Sequence, residues 1–564
     1  MTASPSWPWR WGPRLALAVL ALPVLTGLWG GIALALQGGP EAWVRLATWP
    51  GLPRAIGLSL GTGLAATGIA LILSLLLTAA LQGGRLFRLL ERALTPILAL
   101  PHAAAALGLA FLIAPSGWIA RVLSPWATGW QVPPDLMTLQ DPLGLALILG
   151  LVVKEVPFLL LMILAALPQT DAARRMMLAR TLGYGRVRGF AFTVLPALYP
   201  QLRLPVYAVL AYSMTAVESA MILGPNLPPT LSVQVVIWMG AADLSFRPVA
   251  ALAGLMQGGL CLAALGLWRA GEALARRLLM RASGQGRRGA RLDGLALPLA
   301  RGGAIGLLAL LVAGMAGLAL WSFAGIWRFP DALPSGLGWQ TWQRAGPELR
   351  ATAGVTLALA ALTTALALGL VLALLEAEQR LRPGPAPRPD PGLLPWLIYL
   401  PLVMPQVTFL PGLQAVFLTL GLGGSFGAVA LLHLVFVLPY VFLTLAAPYR
   451  AWDPRLALAG AALGATASRI FWRLRLPMLL APILTAAAVG LAVSIGQYLP
   501  TLTAGAGRIE TVTTLAVALS SGGNRRLVGA YGLLQMALPA LGFALALILP
   551  RWVWRRRAAM RATP

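Results

Sequence analysis

Apolar runs of about 20 residues recur along the whole chain, separated by short stretches rich in arginine, glycine and proline. Coiled as a helix, such a run is roughly 30 Å long, enough to cross the hydrocarbon core of a bilayer. The pattern predicts spans near residues 15–36, 55–81, 93–115, 142–167, 198–223, 247–268, 303–324, 351–375, 395–420, 427–448, 479–503 and 528–550. No stretch is left for a sizeable water-soluble domain. The expectation is an all-α polytopic membrane protein of about 12 transmembrane helices.

Composition agrees, with 59% apolar residues, 11% charged residues and a mean hydropathy of +0.79, far from the roughly 25% charged residues of soluble domains. The formal charge of +26 invites a nucleic-acid reading. The arginines, however, stand in short clusters between apolar runs and form no single basic face with interleaved aromatics. An even number of spans puts both termini on one side. The segments on that side carry most of the 43 Lys and Arg, including Arg276, Arg277, Arg281, Arg287, Arg288, Arg291, Arg555, Arg556 and Arg557. By the positive-inside rule that side is the cytoplasm. Trp7, Trp9, Trp11, Trp552 and Trp554 flank the first and last spans as interfacial anchors would. The run after Arg10 and Arg14 is longer than a signal-peptide core, so an uncleaved first helix is favoured over cleavage near Ala33-Leu34-Ala35.

One cysteine, Cys261, and two histidines, His102 and His433, exclude disulfide frameworks, thiolate metal sites and His-rich metal sites by count. No cofactor is implied. A Walker A loop ends in Gly-Lys-Ser/Thr, and the only lysine, Lys154, follows Leu-Val-Val within an apolar span. No nucleophile-elbow or other catalytic pattern is present, so the chain reads as no enzyme, unable to bind ATP through such a loop of its own.

The chain repeats itself. Gly183 recurs as Gly464, Pro196 as Pro477, Ser213 as Ser494, Gly224 as Gly505 and Thr230 as Thr511, all at one offset of 281 residues. Earlier in each half the offset grows to about 300, as for Pro101 and Pro405, which places a longer loop at 116–141 of the first half. Two tandem six-helix modules are expected, 1–268 and 303–564, joined by a flexible or surface-lying Arg/Gly-rich linker at 269–302. Six spans per unit give both copies the same orientation, related by an axis along the membrane normal with a pore on it.

Between spans four and five the first half reads Met177-Leu-Ala-Arg-Thr-Leu-Gly183, then Thr193-Val-Leu195-Pro196. The second reads Leu458-Ala-Gly-Ala-Ala-Leu-Gly464, then Leu474-Arg-Leu476-Pro477. A short helix ending at glycine can turn abruptly, and proline can open the next helix. Both copies resemble the EAA loop of type I ABC importer permeases, whose pattern is Glu-Ala-Ala, three residues, Gly, nine residues, Ile, one residue, Leu-Pro. They depart from it at the Glu position (Met177, Leu458) and the Ile position (Thr193, Leu474), and only Ala179 and Ala459 keep an alanine. The stretch Ser494–Thr501, followed by Gly505, Arg508 and Thr511, is similar to the fifth-span end of fused permeases of the thiamine, ferric-iron and polyamine (spermidine and putrescine) importers. The resemblance covers both halves and does not select the solute.

It implies two type I ABC permease modules in a bacterial cytoplasmic (inner) membrane, both termini cytoplasmic. Two separate ABC ATPase subunits would dock on Met177, Leu178, Ala179, Arg180, Leu182, Gly183, Leu195 and Pro196, and on Leu458, Ala459, Leu463, Gly464, Leu476 and Pro477. A periplasmic or extracellular solute-binding protein would deliver cargo. Arg174, Arg175, Arg180, Arg469, Arg473 and Arg475 serve equally as partner contacts or as topology determinants.

Charged groups in a span are costly and hence functional candidates. Glu155, Ser213, Glu218, Ser494, Gln497 and Tyr498 are candidates for lining the pathway, where a carboxylate favours a cationic or amine-bearing solute. Satisfaction by neighbouring helices is the competing reading for Lys154 and Glu155. His102 and Gln406, each after a repeated proline, are expected as packing or kink-site residues. A 6+6 secondary transporter explains the span count equally well but not the paired loops, and lacks a Gly-x-x-x-Asp-Arg-like signature at 82–92. A membrane scaffold would need no ATPase at all.

Overall fold

The computed structural model describes residues 7–286, 288–289, 291–381, 398 and 400–555. Among these the regular structure is helical, with two isolated β-bridges. Ten helices are long and apolar enough to cross a membrane: Pro13–Gln37, Leu52–Leu81, His102–Leu123, Leu145–Thr170, Arg186–Thr215, Phe246–Gly284, Arg291–Phe323, Gly346–Arg380, Phe426–Arg450 and Arg525–Val553. The pair Ala467–Met478 and Leu480–Gly496, bent by 73°, is long and apolar enough to cross only if the two count as one span. The expected span at 395–420 corresponds to Gln406–Thr419, alone too short to cross. Its expected start, 395–397 and 399, lies outside the described residues.

Four expectations need correcting. The span at 93–115 is two helices, Arg85–Ala99 and His102–Ile113, because Pro101 adopts an extended ψ of 151° that helix cannot continue. The spans at 198–223 and 479–503 are also broken, at Ala216 (ψ 108°) and Gln497 (ψ 112°). Short apolar helices at Leu231–Met239 and Val512–Ser520 follow these breaks. At nine residues each is only about 13 Å long, so the sequence pattern hid them among loops. Lastly, the linker expected as flexible or surface-lying is for the most part helical, against the first of those two readings. Phe246–Gly284 carries on past the span, Arg291–Phe323 starts well before the next, and only 285–290 intervene.

Both breaks are built alike. The carbonyl of Met214 loses its helical partner at Ala216 and accepts from Ser232 Oγ at 3.4 Å and Gln257 Nε2 at 3.1 Å. In the second half the carbonyl of Ile495, 281 positions on, accepts from the hydroxyl of Thr513, which in turn accepts from Gln535 Nε2 at 2.8 Å. The short helices are anchored alike too, the Leu231 amide donating to Ser59 Oγ and the Val512 amide to Thr356 Oγ1, each at 3.0 Å. Freed backbone groups inside a membrane need such partners, since lipid supplies none.

The halves interlock through their leading helices. Trp7–Gln37 packs along Gln406–Thr419, and Arg291–Phe323 packs along His102–Ile113. Glycine permits both approaches. A Cβ on Gly412 would lie 2.0 Å from the Gly27 carbonyl oxygen, and one on Gly108 would lie 3.0 Å from the Gly314 backbone. Small residues at crossing points let helix backbones touch where no hydrophobic driving force exists between lipid-embedded helices.

Candidate functional site

Two features would carry function: a pair of surface loops that recur at the offset of 281, and a polar interior that does not. The first loop begins with the helix Ala172–Thr181, which ends at Gly183 with φ +80°. The Gly183 amide donates to the Arg180 carbonyl at 2.9 Å and the Tyr184 amide to Ala179 at 3.0 Å. In the second loop Pro454–Ala462 ends at Gly464 with φ +78°, the Gly464 amide donating to Ala461 at 2.9 Å and the Ala465 amide to Gly460 at 3.0 Å. Both are Schellman closures, whose left-handed residue is cheap only for glycine.

The next helix also starts the same way. One turn after each loop the hydrogen-bond ladder slips to π spacing, at Phe190–Val194 and at Phe471–Arg475. Pro196 and Pro477 follow directly; a proline offers no amide and crowds the carbonyl four residues back, so the slip accommodates it. Each loop turns an apolar edge outward. Met177, Leu178 and Leu182 are exposed, as are Leu458 and Leu463, the last at 88%. Arg180 and Ala459 are exposed beside them, whereas Leu195, Leu476 and Pro477 are half-buried and Pro196 is exposed. Ala179 is fully buried, and a Cβ on Gly189 would lie 3.0 Å from its methyl, so that alanine seats the loop on the helix below.

The loops are not held identically. Arg475 is buried with Glu376 and Tyr449. Glu376 accepts from Arg475 Nη1, from the Tyr449 hydroxyl and, at 2.7 Å, from Arg380 Nε. The Arg475 guanidinium also lies 4.5 Å from the Trp452 ring centre. The matching position in the first loop is Val194, buried without charge.

In the interior, Glu155 is buried and its Oε1 lies 3.2 Å from His102 Nε2. The His102 ring packs 4.5 Å from Tyr212, whose hydroxyl donates to Glu218 at 3.0 Å. A run of contacts, two hydrogen bonds flanking one ring packing, thus joins Glu155 to Glu218 through two residues that sequence reasoning did not place in the pathway. His102 in particular is no mere kink-site residue: the break at Pro101 starts a new helix with His102 and presents its ring to the carboxylate. From the second half, Tyr498 reaches across to donate to Met221 Sδ at 3.4 Å. Tyr440 remains 37% exposed on the helix Phe426–Arg450.

Ser213, Ser494 and Gln497 stand apart from this chain. Ser494 Oγ lies 2.8 Å from His433 Nδ1, with His433 Nε2 2.8 Å from Thr501. Ser213 Oγ is buried with no hydrogen-bond partner among the described residues, and Gln497 is half-buried at the helix break. Lys154 Nζ donates to the Ile97 carbonyl at 3.0 Å. Among the described residues no three His, Cys, Asp or Glu side chains gather as a metal site would require.

A polytopic helical protein with broken helices, interior polar residues and a pair of surface loops matched at one offset has the build of a membrane transport protein. The chain is 33% identical over 524 residues, 92% of its length, to the inner membrane ABC transporter permease protein YnjC of Escherichia coli (strain K12), of which the match also covers 92%. No protein-family model matches. The chain belongs to the ABC transporter permeases.

Proposed function

We propose that this chain is the permease subunit of an ATP-driven, binding-protein-dependent importer, forming its translocation pathway from two fused type I permease modules at 1–268 and 303–564 in a bacterial inner membrane. Both termini and both glycine-closed loops face the cytoplasm. Each loop inserts its apolar edge, Met177, Leu178 and Leu182 or Leu458 and Leu463, into a groove on one ABC ATPase subunit, as an amphipathic helix enters an apolar groove. ATP hydrolysis belongs to those subunits, and a binding protein delivers solute from outside. The observation that carries the reading is the duplicated loop, with the same Schellman closure, the same π slip and the same outward apolar edge 281 residues apart.

Solute passes between the halves, where Glu155 and Glu218 favour a cation or an amine, with thiamine-like molecules, polyamines and ferric iron as the candidates. Tyr212, Tyr440 and Tyr498 offer ring faces to the same charge. The test is reconstitution in nanodiscs with the cognate ATPase. Solute-dependent ATP turnover by the complex, and no uptake by the permease alone in vesicles, supports the proposal. Gradient-driven uptake without nucleotide overturns it.

A further inference from the structure

The two loops differ in how the helix after them is capped, and the difference involves the segment between the halves. In the second loop Thr466 sits at the helix start with φ −67° and ψ 156°, and its hydroxyl accepts from the Arg469 amide at 3.3 Å. The residue 281 positions earlier is Gly185, in nearly the same conformation, φ −66° and ψ 174°, with no side chain to cap anything. The first copy has therefore lost its own cap.

The missing acceptor comes from far along the chain. Asp293, at the start of Arg291–Phe323, accepts from the Arg186 amide at 2.7 Å and from the Val187 amide at 3.0 Å, one carboxylate oxygen to each. Just before it Gly289 pairs with the loop as a parallel bridge. Its amide donates to the Gly183 carbonyl at 3.1 Å, and its carbonyl accepts from Gly185 at 3.3 Å. Arg188 Nη1 donates to the Arg288 carbonyl at 3.3 Å. Three separate contacts thus fix the first loop to the segment between the halves. A carboxylate at a helix N-terminus satisfies orphan amides and meets the positive end of the helix dipole.

We propose that Asp293 is a positioning residue for the first ATPase-docking loop, and that the segment around it straps that loop to the leading helix of the second half. This rests on the loop's proposed role as a docking element. The helix after the first loop is consequently capped from the start of the second half's leading helix, whereas the helix after the second loop is capped by its own Thr466. Movement of that leading helix reaches the first loop directly.

Hydrogen exchange on the full chain in nanodiscs tests the strap without any ATPase. Asp293→Ala should speed exchange at the Arg186 and Val187 amides roughly tenfold, the scale of a lost helix cap, and leave the amides after Thr466 unchanged. Adding Gly185→Thr, which the backbone conformation accepts, should restore slow exchange at residues 186–188. In the complex with the cognate ATPase, solute-stimulated ATP turnover should fall severalfold in Asp293→Ala and recover in the double variant. Unchanged exchange in Asp293→Ala overturns the proposal. So does a loss of turnover that persists in the double variant after its amides recover. A wild-type complex with no coupled turnover defeats the docking reading instead, and the exchange arm still decides the strap.

Discussion

Gly412 and Gly27 meet backbone to backbone, with room for no Cβ between them: one added to Gly412 would fall 2.0 Å from the Gly27 carbonyl oxygen. Gly412→Leu must therefore push apart the first helix and Gln406–Thr419. Overpacking of a tight site costs about 1–3 kcal/mol, so the purified variant should unfold at a clearly lower temperature. Gly57→Ala, in open space within a helix, serves as the control and should be neutral or slightly stabilising. A Gly412→Leu protein melting with the wild type would refute the crossing.

Gly183 and Gly464 hold positive φ, which costs a residue with a Cβ roughly 1–2 kcal/mol. Gly183→Val and Gly464→Val should each reshape a loop at the surface and leave the buried helices intact. Membrane insertion and yield are expected to be normal, with solute-stimulated ATP turnover nearly abolished in the double variant. Full uptake by that variant would remove the docking role.

Glu155 and Glu218 are joined through His102 and Tyr212. If they read a cation, Glu155→Gln and Glu218→Gln each remove a charged contact worth about 1.5–3 kcal/mol. Uptake efficiency should fall by roughly ten- to a hundredfold, with basal ATP turnover unchanged. An anion gaining affinity in these variants would reverse the inferred sign of the cargo.

Glu376 and Arg475 form a buried pair, and Glu376 also accepts from Arg380 and Tyr449, so it is loss of Glu376 that strands a buried charge, Arg475. Glu376→Met alone is expected to cost about 3–5 kcal/mol, whereas Glu376→Met with Arg475→Met should recover much of it. Thermal unfolding of the single and double variants measures this directly. Equal losses in both would mean that the guanidinium left without its carboxylate carries no penalty of its own.

Much of the frame could be read from the order of residues, and for physical reasons. Apolar runs must match bilayer thickness, and the glycines at 183 and 464 and the prolines at 196 and 477 sit where the backbone demands them, so one offset located both loops. What escaped were features set by contacts distant in sequence. Nothing local to His102 announces Glu155, which is 53 positions away, and nothing local to Gly185 announces Asp293. The break at Ala216 involves neither glycine nor proline, and the one at Gln497 has Gly496 before it and Pro500 after it without either marking it as a break in an apolar run. Both breaks exist because Ser232, Gln257 and Thr513 wait with hydroxyl and amide groups for the carbonyls that the breaks expose.

Both carboxylates of the interior chain lie in the first half, while the second half faces them with tyrosines. A doubled scaffold is thereby furnished on one wall only. If Glu155 and Glu218 read the cargo as proposed, changing that wall alone retunes preference, and the facing copy and the matched pair of surface loops need not change with it.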